Sequence, residues 1–160
     1  MAKYGITNGS TSNAGTQQPT TTSYVGALIG LTGANSAPRR IKIYDLLIGT
    51  NGTPADNFME FDISRVTLAS TATSATPQPL DQADATSLTT TTVNSSTFGT
   101  ITANTNLFYV GINQRASYRW VAAPGSELVS PATSSAGFQL RCRSGGYTGT
   151  ATGTILFEEQ

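Results

Sequence analysis

TNLFYVGINQRASYRWVAAP, running from Thr105 to Pro124, is the stretch whose reading decides the fold. Successive side chains of an extended chain point to opposite faces, so Phe108, Val110 and Ile112 share one side and Leu107 and Tyr109 the other. That pattern predicts a buried strand, apolar on both faces. After the polar break Asn113-Gln114-Arg115-Ala116 the alternation resumes, with Tyr118, Trp120 and Ala122 on one face and Ser117, Arg119 and Val121 on the other. Two such runs around a short polar turn predict a β-hairpin of the longer-loop type. Trp120 is the only tryptophan, and so large a side chain is expected to anchor the core it joins, which places the centre of a sheet here.

Working outward, the composition carries the same message. Of 160 residues only 11% are charged, against about a quarter in an average domain. There are 27 Thr and 16 Ser but only four Glu and two Lys, which suits pleated, half-buried surfaces and not helix faces. Arg40, Lys42 and Tyr44 alternate with Ile41 and Ile43 until Leu46-Leu47-Ile48 changes phase, predicting a kink or bulge near Asp45. Met59, Phe61 and Ile63 share a face opposite Glu60 and Asp62, and a second phase slip falls at Ser64-Arg65. Gly49 to Asn57 is dense in turn formers and predicts a loop. Ala69 to Thr97 reads as a wandering connection with one or two short edge strands, crossing the end of a sandwich. Later strands are expected around Phe138 to Arg143 and from Tyr147 to Glu159.

About eight or nine strands with turn signals between them predict an all-β, antiparallel β-sandwich, and the long connections favour a jelly-roll-like order. The expected core anchors are Phe108, Val110, Ile112, Tyr118, Trp120, Phe138, Leu140, Ile155 and Phe157. Residues 24–160 would form this single domain, preceded by an extended polar N-terminal arm over residues 1–23. Within the arm, the short extended piece holding Tyr4 and Ile6 could add to a neighbour's sheet edge, or fray as untethered ends do.

Chemistry is sparse. The chain has no histidine, so a Ser-His-Asp or Cys-His arrangement cannot be built. Asp81 with Asp84, and Glu158 with Glu159, read as solvated turn and terminal acids and not as a catalytic pair. Asp56-Asn57 lacks the spaced ligands of a calcium loop, and neither a metal nor a cofactor is expected. A formal net charge of zero gives no basic field for nucleic acid. No apolar run approaches the roughly 20 residues of a membrane span, and the first residues lack the apolar centre of a secretion signal. Cys142, the single cysteine, lies between Arg141 and Arg143, and alternation puts its thiol on the face away from both. Seven Arg against two Lys is a skew toward the residue that suits interfaces, and Arg115, Arg119, Arg141 and Arg143 could converge on one rim or be scattered surface charge.

Several strings are more specific. Ile43-Tyr44-Asp45-Leu46, the loop Gly49 to Asn57, the run Asn113 to Gly125 and Tyr147-Thr148-Gly149-Thr150 resemble a group of small virion-associated proteins of tailed bacteriophages, over roughly Tyr24 to Gln160. The resemblance implies a jelly-roll capsid decoration, or cement, protein on the outer capsid surface. Its partners would be the major capsid protein and its own copies, as a trimer or dimer, with the arm reaching the shell or an adjoining copy. It implies no enzymatic activity, no nucleic acid, no membrane and no small-molecule substrate. Two other classes fit the composition. One is a carbohydrate-binding, lectin-like module with Tyr24, Tyr44, Tyr109, Tyr118 and Trp120 as stacking faces. The other is a subunit of an extracellular tube or fibre.

Overall fold

A computed structural model describes residues 1–9, 19–20, 26–51, 53, 55–68, 73–144 and 149–160. The proposed arm's residues 10–18 and 21–23, the beginning of the expected Tyr24 strand, and Tyr147 and Thr148 lie outside the described residues. Among the described residues thirteen strands run in chain order: β1 (Lys3–Thr7), β2 (Pro19–Thr20), β3 (Ala27–Thr32), β4 (Ile41–Asn51), β5 (Phe58–Leu68), β6 (Thr73–Ser74), β7 (Gln78–Pro79), β8 (Thr90–Val93), β9 (Thr100–Asn113), β10 (Tyr118–Val121), β11 (Leu128–Val129), β12 (Gly137–Ser144) and β13 (Gly149–Glu159). They form two antiparallel sheets packed face to face as a β-sandwich. One sheet has the order β10-β4-β13-β1-β7, with β11 also on β4 and β2 also on β13; the other has the order β6-β8-β3-β12-β5-β9. The chain steps from sheet to sheet as it goes from β3 to β4 to β5.

The core lies where the inward faces meet. Leu28, Ile29 and Leu31 of β3, Ile41, Ile43, Leu46 and Ile48 of β4, Met59, Phe61 and Ile63 of β5, Phe138 and Leu140 of β12 and Ile155 and Phe157 of β13 are all buried there. The expected phase slips are real. Opposite β13, the register jumps from Leu156–Asp45 to Phe157–Ile43, so Tyr44 is the extra residue of a bulge. That bulge lets Ile41 and Ile43, and then Leu46 and Ile48, all face inward although their parity differs. The register between β5 and β9 likewise shifts at Ile63/Ser64 and again at Ser64/Val66. The long connection supplies β6 and β8 to one sheet and β7 to the other, so it does cross the end of the sandwich.

Three expectations are corrected. The Thr105–Pro124 stretch is not a hairpin, because β9 pairs with β5 while β10 pairs with β4 in the opposite sheet. The turn between them carries the chain from one sheet to the other. The Phe108 ring meets Trp120 at 5.9 Å and Tyr118 at 6.1 Å between centroids, in a contact between sheets and not along a ladder. Alternation specifies that these rings face a common interior, and both arrangements satisfy it.

The stretch is therefore not a sheet centre either. Both strands are edges: Leu107 and Tyr109 are exposed, Phe108, Val110, Ile112 and Trp120 are half-buried, and Tyr118 is largely exposed. The fully buried aromatic anchors are Phe61, Phe138 and Phe157.

The third correction concerns the chain's beginning. β1 lies inside its own sheet, between β13 and β7. Tyr4 and Ile6 are only 3% and 5% exposed, and the Tyr4 ring stacks on Phe157 with centroids 5.6 Å apart. Both flanks of this strand are already paired, so it is not available for a neighbour's edge.

Candidate interaction surface

The four arginines do not converge; each has its own carboxylate. Arg119 on β10 grips Asp45 of β4 with two parallel bonds, Nε to Oδ1 at 3.0 Å and Nη2 to Oδ2 at 2.5 Å, and this hydrogen bonding raises the guanidinium's pKa further. Arg115 sits 3.3 Å from Asp56 in an exposed pair. Arg143 pairs with Glu60, which also accepts from the Tyr109 hydroxyl. Arg141 is buried against Asp62. Arg119 belongs to one sheet and Arg141 and Arg143 to the other, and Arg119 and Arg141 each form a two-bond fork within the chain.

The Asp62 cluster is the most elaborate polar feature, and only the alternation of β5 hinted at it. Asp62 Oδ1 accepts from Arg141 Nε at 2.9 Å, and Oδ2 accepts from Arg141 Nη2, from Asn106 Nδ2 at 2.7 Å and from Ser64 Oγ at 3.1 Å. The Phe98 ring covers the Arg141 guanidinium at 5.6 Å, and Gly99 N–H donates to Gln139 Oε1 at 2.9 Å. The segment 94–99 thus lies across the outer face of β12 and seals it. Gly26 makes this approach possible, because a Cβ there would fall inside the Ser95 carbonyl. A saturated and covered charge pair has no valence left for a substrate.

The other candidate acids are also occupied. Glu159 is not a solvated terminal acid. Its carboxylate accepts from the Ser87 and Thr89 hydroxyls and from the amides of Leu88 and Thr89, and so ties the long connection to β13. Asp81 accepts from the Ala83 amide within its turn. Among the described residues no group of three or more His, Cys, Asp or Glu could hold a metal. Among the described residues no helix is long and apolar enough to cross a membrane. The Cys142 thiol is buried beside the core, as alternation predicted, and burial with the nearby Asp62 charge pushes its pKa up to about 12.

One open concavity among the described residues holds about 290 Å³ and is lined by residues such as Leu47, Thr50, Gln114, Arg115, Ser117 and Thr152, without an aromatic ring. Tyr109 and Tyr118 are not in it, Trp120 is turned against Phe108, and Tyr24 lies outside the described residues. The stacking platform a sugar site would require is not assembled in this groove.

What remains is the sheet edges. β6 and β7 are two residues long, β7 ends on Pro79, and β10 is four residues long and carries Arg119. Brevity, proline and charge are how edges are kept from pairing. Among the described residues β9 has none of these three protections. It is a 14-residue edge strand, TITANTNLFYVGIN, with no charged residue and no proline, and β5 lies on only one of its flanks. No family model, curated protein or solved structure matches the chain. A functional reading therefore rests on this surface and on the resemblance of its sequence strings.

Proposed function

We propose that the protein is a structural component of a tailed-bacteriophage virion, decorating and cementing the outer capsid surface by binding major capsid subunits and its own copies. The observation that carries the reading is the uncharged, proline-free edge of β9, regular from Phe108 to Asn113, which is suited to being covered. Its apolar neighbours agree, since Leu107, Tyr109 and Phe58 are exposed around it. A jelly-roll description is supported by the stepping of β3, β4 and β5 between sheets and by the order β3-β12-β5-β9. Low charge and saturated polar clusters suit a persistent assembly that performs no reaction and needs no cofactor.

Image reconstruction of the native particle tests this directly. Density for 16.7 kDa copies is expected on the outside of the shell, bridging capsid subunits. Placement in the tail, in a fibre or only inside the shell would overturn it.

A further inference from the structure

We infer that β9 pairs with β9 of a second copy, antiparallel, across a two-fold axis at Val110. Backbone parity fixes which groups are open. The Gln114 amide donates to the Asn57 carbonyl at 2.8 Å, continuing the register in which Asn113 opposes Phe58. Antiparallel ladders alternate, so Ile112, Val110 and Phe108 turn their backbone groups to β5, while Gly111 and Tyr109 turn theirs away. The Asn113 carbonyl is taken by the Ala116 amide at 2.9 Å, which ends the open stretch. The register shift after Ile63 ends it on the other side.

The residues are complementary to themselves, as a two-fold interface demands. With Val110 opposite its own copy, Tyr109 opposes the partner's Gly111, and Gly111 opposes the partner's Tyr109. Each of these pairs exchanges both of its backbone hydrogen bonds. On the inner face Phe108 meets the partner's Ile112, and the reverse. All three inward side chains of this half-strand are only half-buried in one copy, and the pairing continues the core over them.

Gly111 suits this register. Its φ is not positive, and a Cβ would meet nothing closer than the Met59 carbonyl at 3.9 Å. Its own fold therefore does not require glycine, which weakens a strand interior. A large ring lying across from it in a second copy would find room there. The strand's lack of charge removes the like-charge repulsion that would oppose pairing with an identical copy.

The inference deepens the assembly reading above and can fail separately from it. Val110→Cys places the new thiol at a non-hydrogen-bonded self-pair, where Cα atoms lie about 4.5 Å apart, inside the range of a disulfide. Mild oxidation should convert this variant to a covalent dimer, while Ile112→Cys, which faces Phe108 of the partner, should crosslink poorly. Cys142 is buried and will not compete. Light scattering should give twice the 16.7 kDa chain mass at micromolar concentration, and Gly111→Lys should return it to one chain with an unchanged circular dichroism spectrum. A monomeric wild type, or Val110→Cys crosslinking no better than Ile112→Cys, overturns the pairing. If such a monomer still coats capsids, the decoration reading survives without it. If a β9 dimer forms and binds no capsid, only the decoration reading falls.

Discussion

Asp62 is wholly buried, and its charge is held by Arg141, Asn106 and Ser64. Removing one member of a buried pair strands the other, at a cost of about 3–5 kcal/mol. Asp62→Ala should therefore lower the urea midpoint sharply. Replacing Asp62 and Arg141 together by Leu and Met should cost much less, and a double-mutant cycle in urea would show it. Alkaline pH should also weaken the fold. Burial and Asp62 push Cys142 from 9.0 up to about 12, and burial, Glu159 and Asp84 raise Tyr4 above 10.0. For both, the folded pKa exceeds the unfolded one, so the contribution is complete below about pH 9 and is lost as pH climbs toward 12. Thermal melts between pH 8 and 11 should show a falling Tm, and Cys142→Ala should flatten part of that fall. The burial of Cys142 was legible from alternation, whereas the Asp62–Arg141 pairing was not. Nothing in a period-two pattern says that the outward side of β5 and β12 will be roofed by the segment 94–99.

At the scale of elements, β1 is the instructive case. Five residues, Lys3–Thr7, look like a polar arm when read alone, because so short a run buries too little to hold itself. Its partner β13 is distant in sequence, pairing Ile6 with Ile155 and Tyr4 with Phe157. Local reading cannot supply a partner from the other end of the chain. Ile6→Ala should cost about 2–5 kcal/mol, as a core truncation does, where a free arm would show no change in chemical denaturation. The β4 bulge was legible for the opposite reason. A change in hydrophobic parity at Asp45 can only be reconciled with one buried face by inserting a residue, and Tyr44 is that residue. The supposed hairpin of β9 and β10 failed because a turn joining neighbours and a turn joining layers use the same residues.

Taken whole, the molecule is a sandwich whose pairings are nearly all non-local: β1 with β13, β4 with β13, β12 with β3 and with β5. Loop-closure entropy must be met before such contacts return anything, so folding is expected in the milliseconds-to-seconds range or slower. Stopped-flow fluorescence of Trp120, half-buried against Phe108, would measure it. The class of fold was legible from composition and alternation because they report local geometry. Strand order was not, since it is decided by which distant partner completes each face.

Because Lys3 lies beside Glu158, and the Glu159 amide bonds the Ala2 carbonyl at 3.2 Å, residues 2 and 159 share one address. A handful of glycines could splice Gln160 to Met1, and a circular permutant opened in the Asp81–Asp84 turn should retain the sandwich. Cargo grafted beside residue 2 or beside residue 159 would emerge from the same spot, so a single site would serve for display whichever of the two carries the graft.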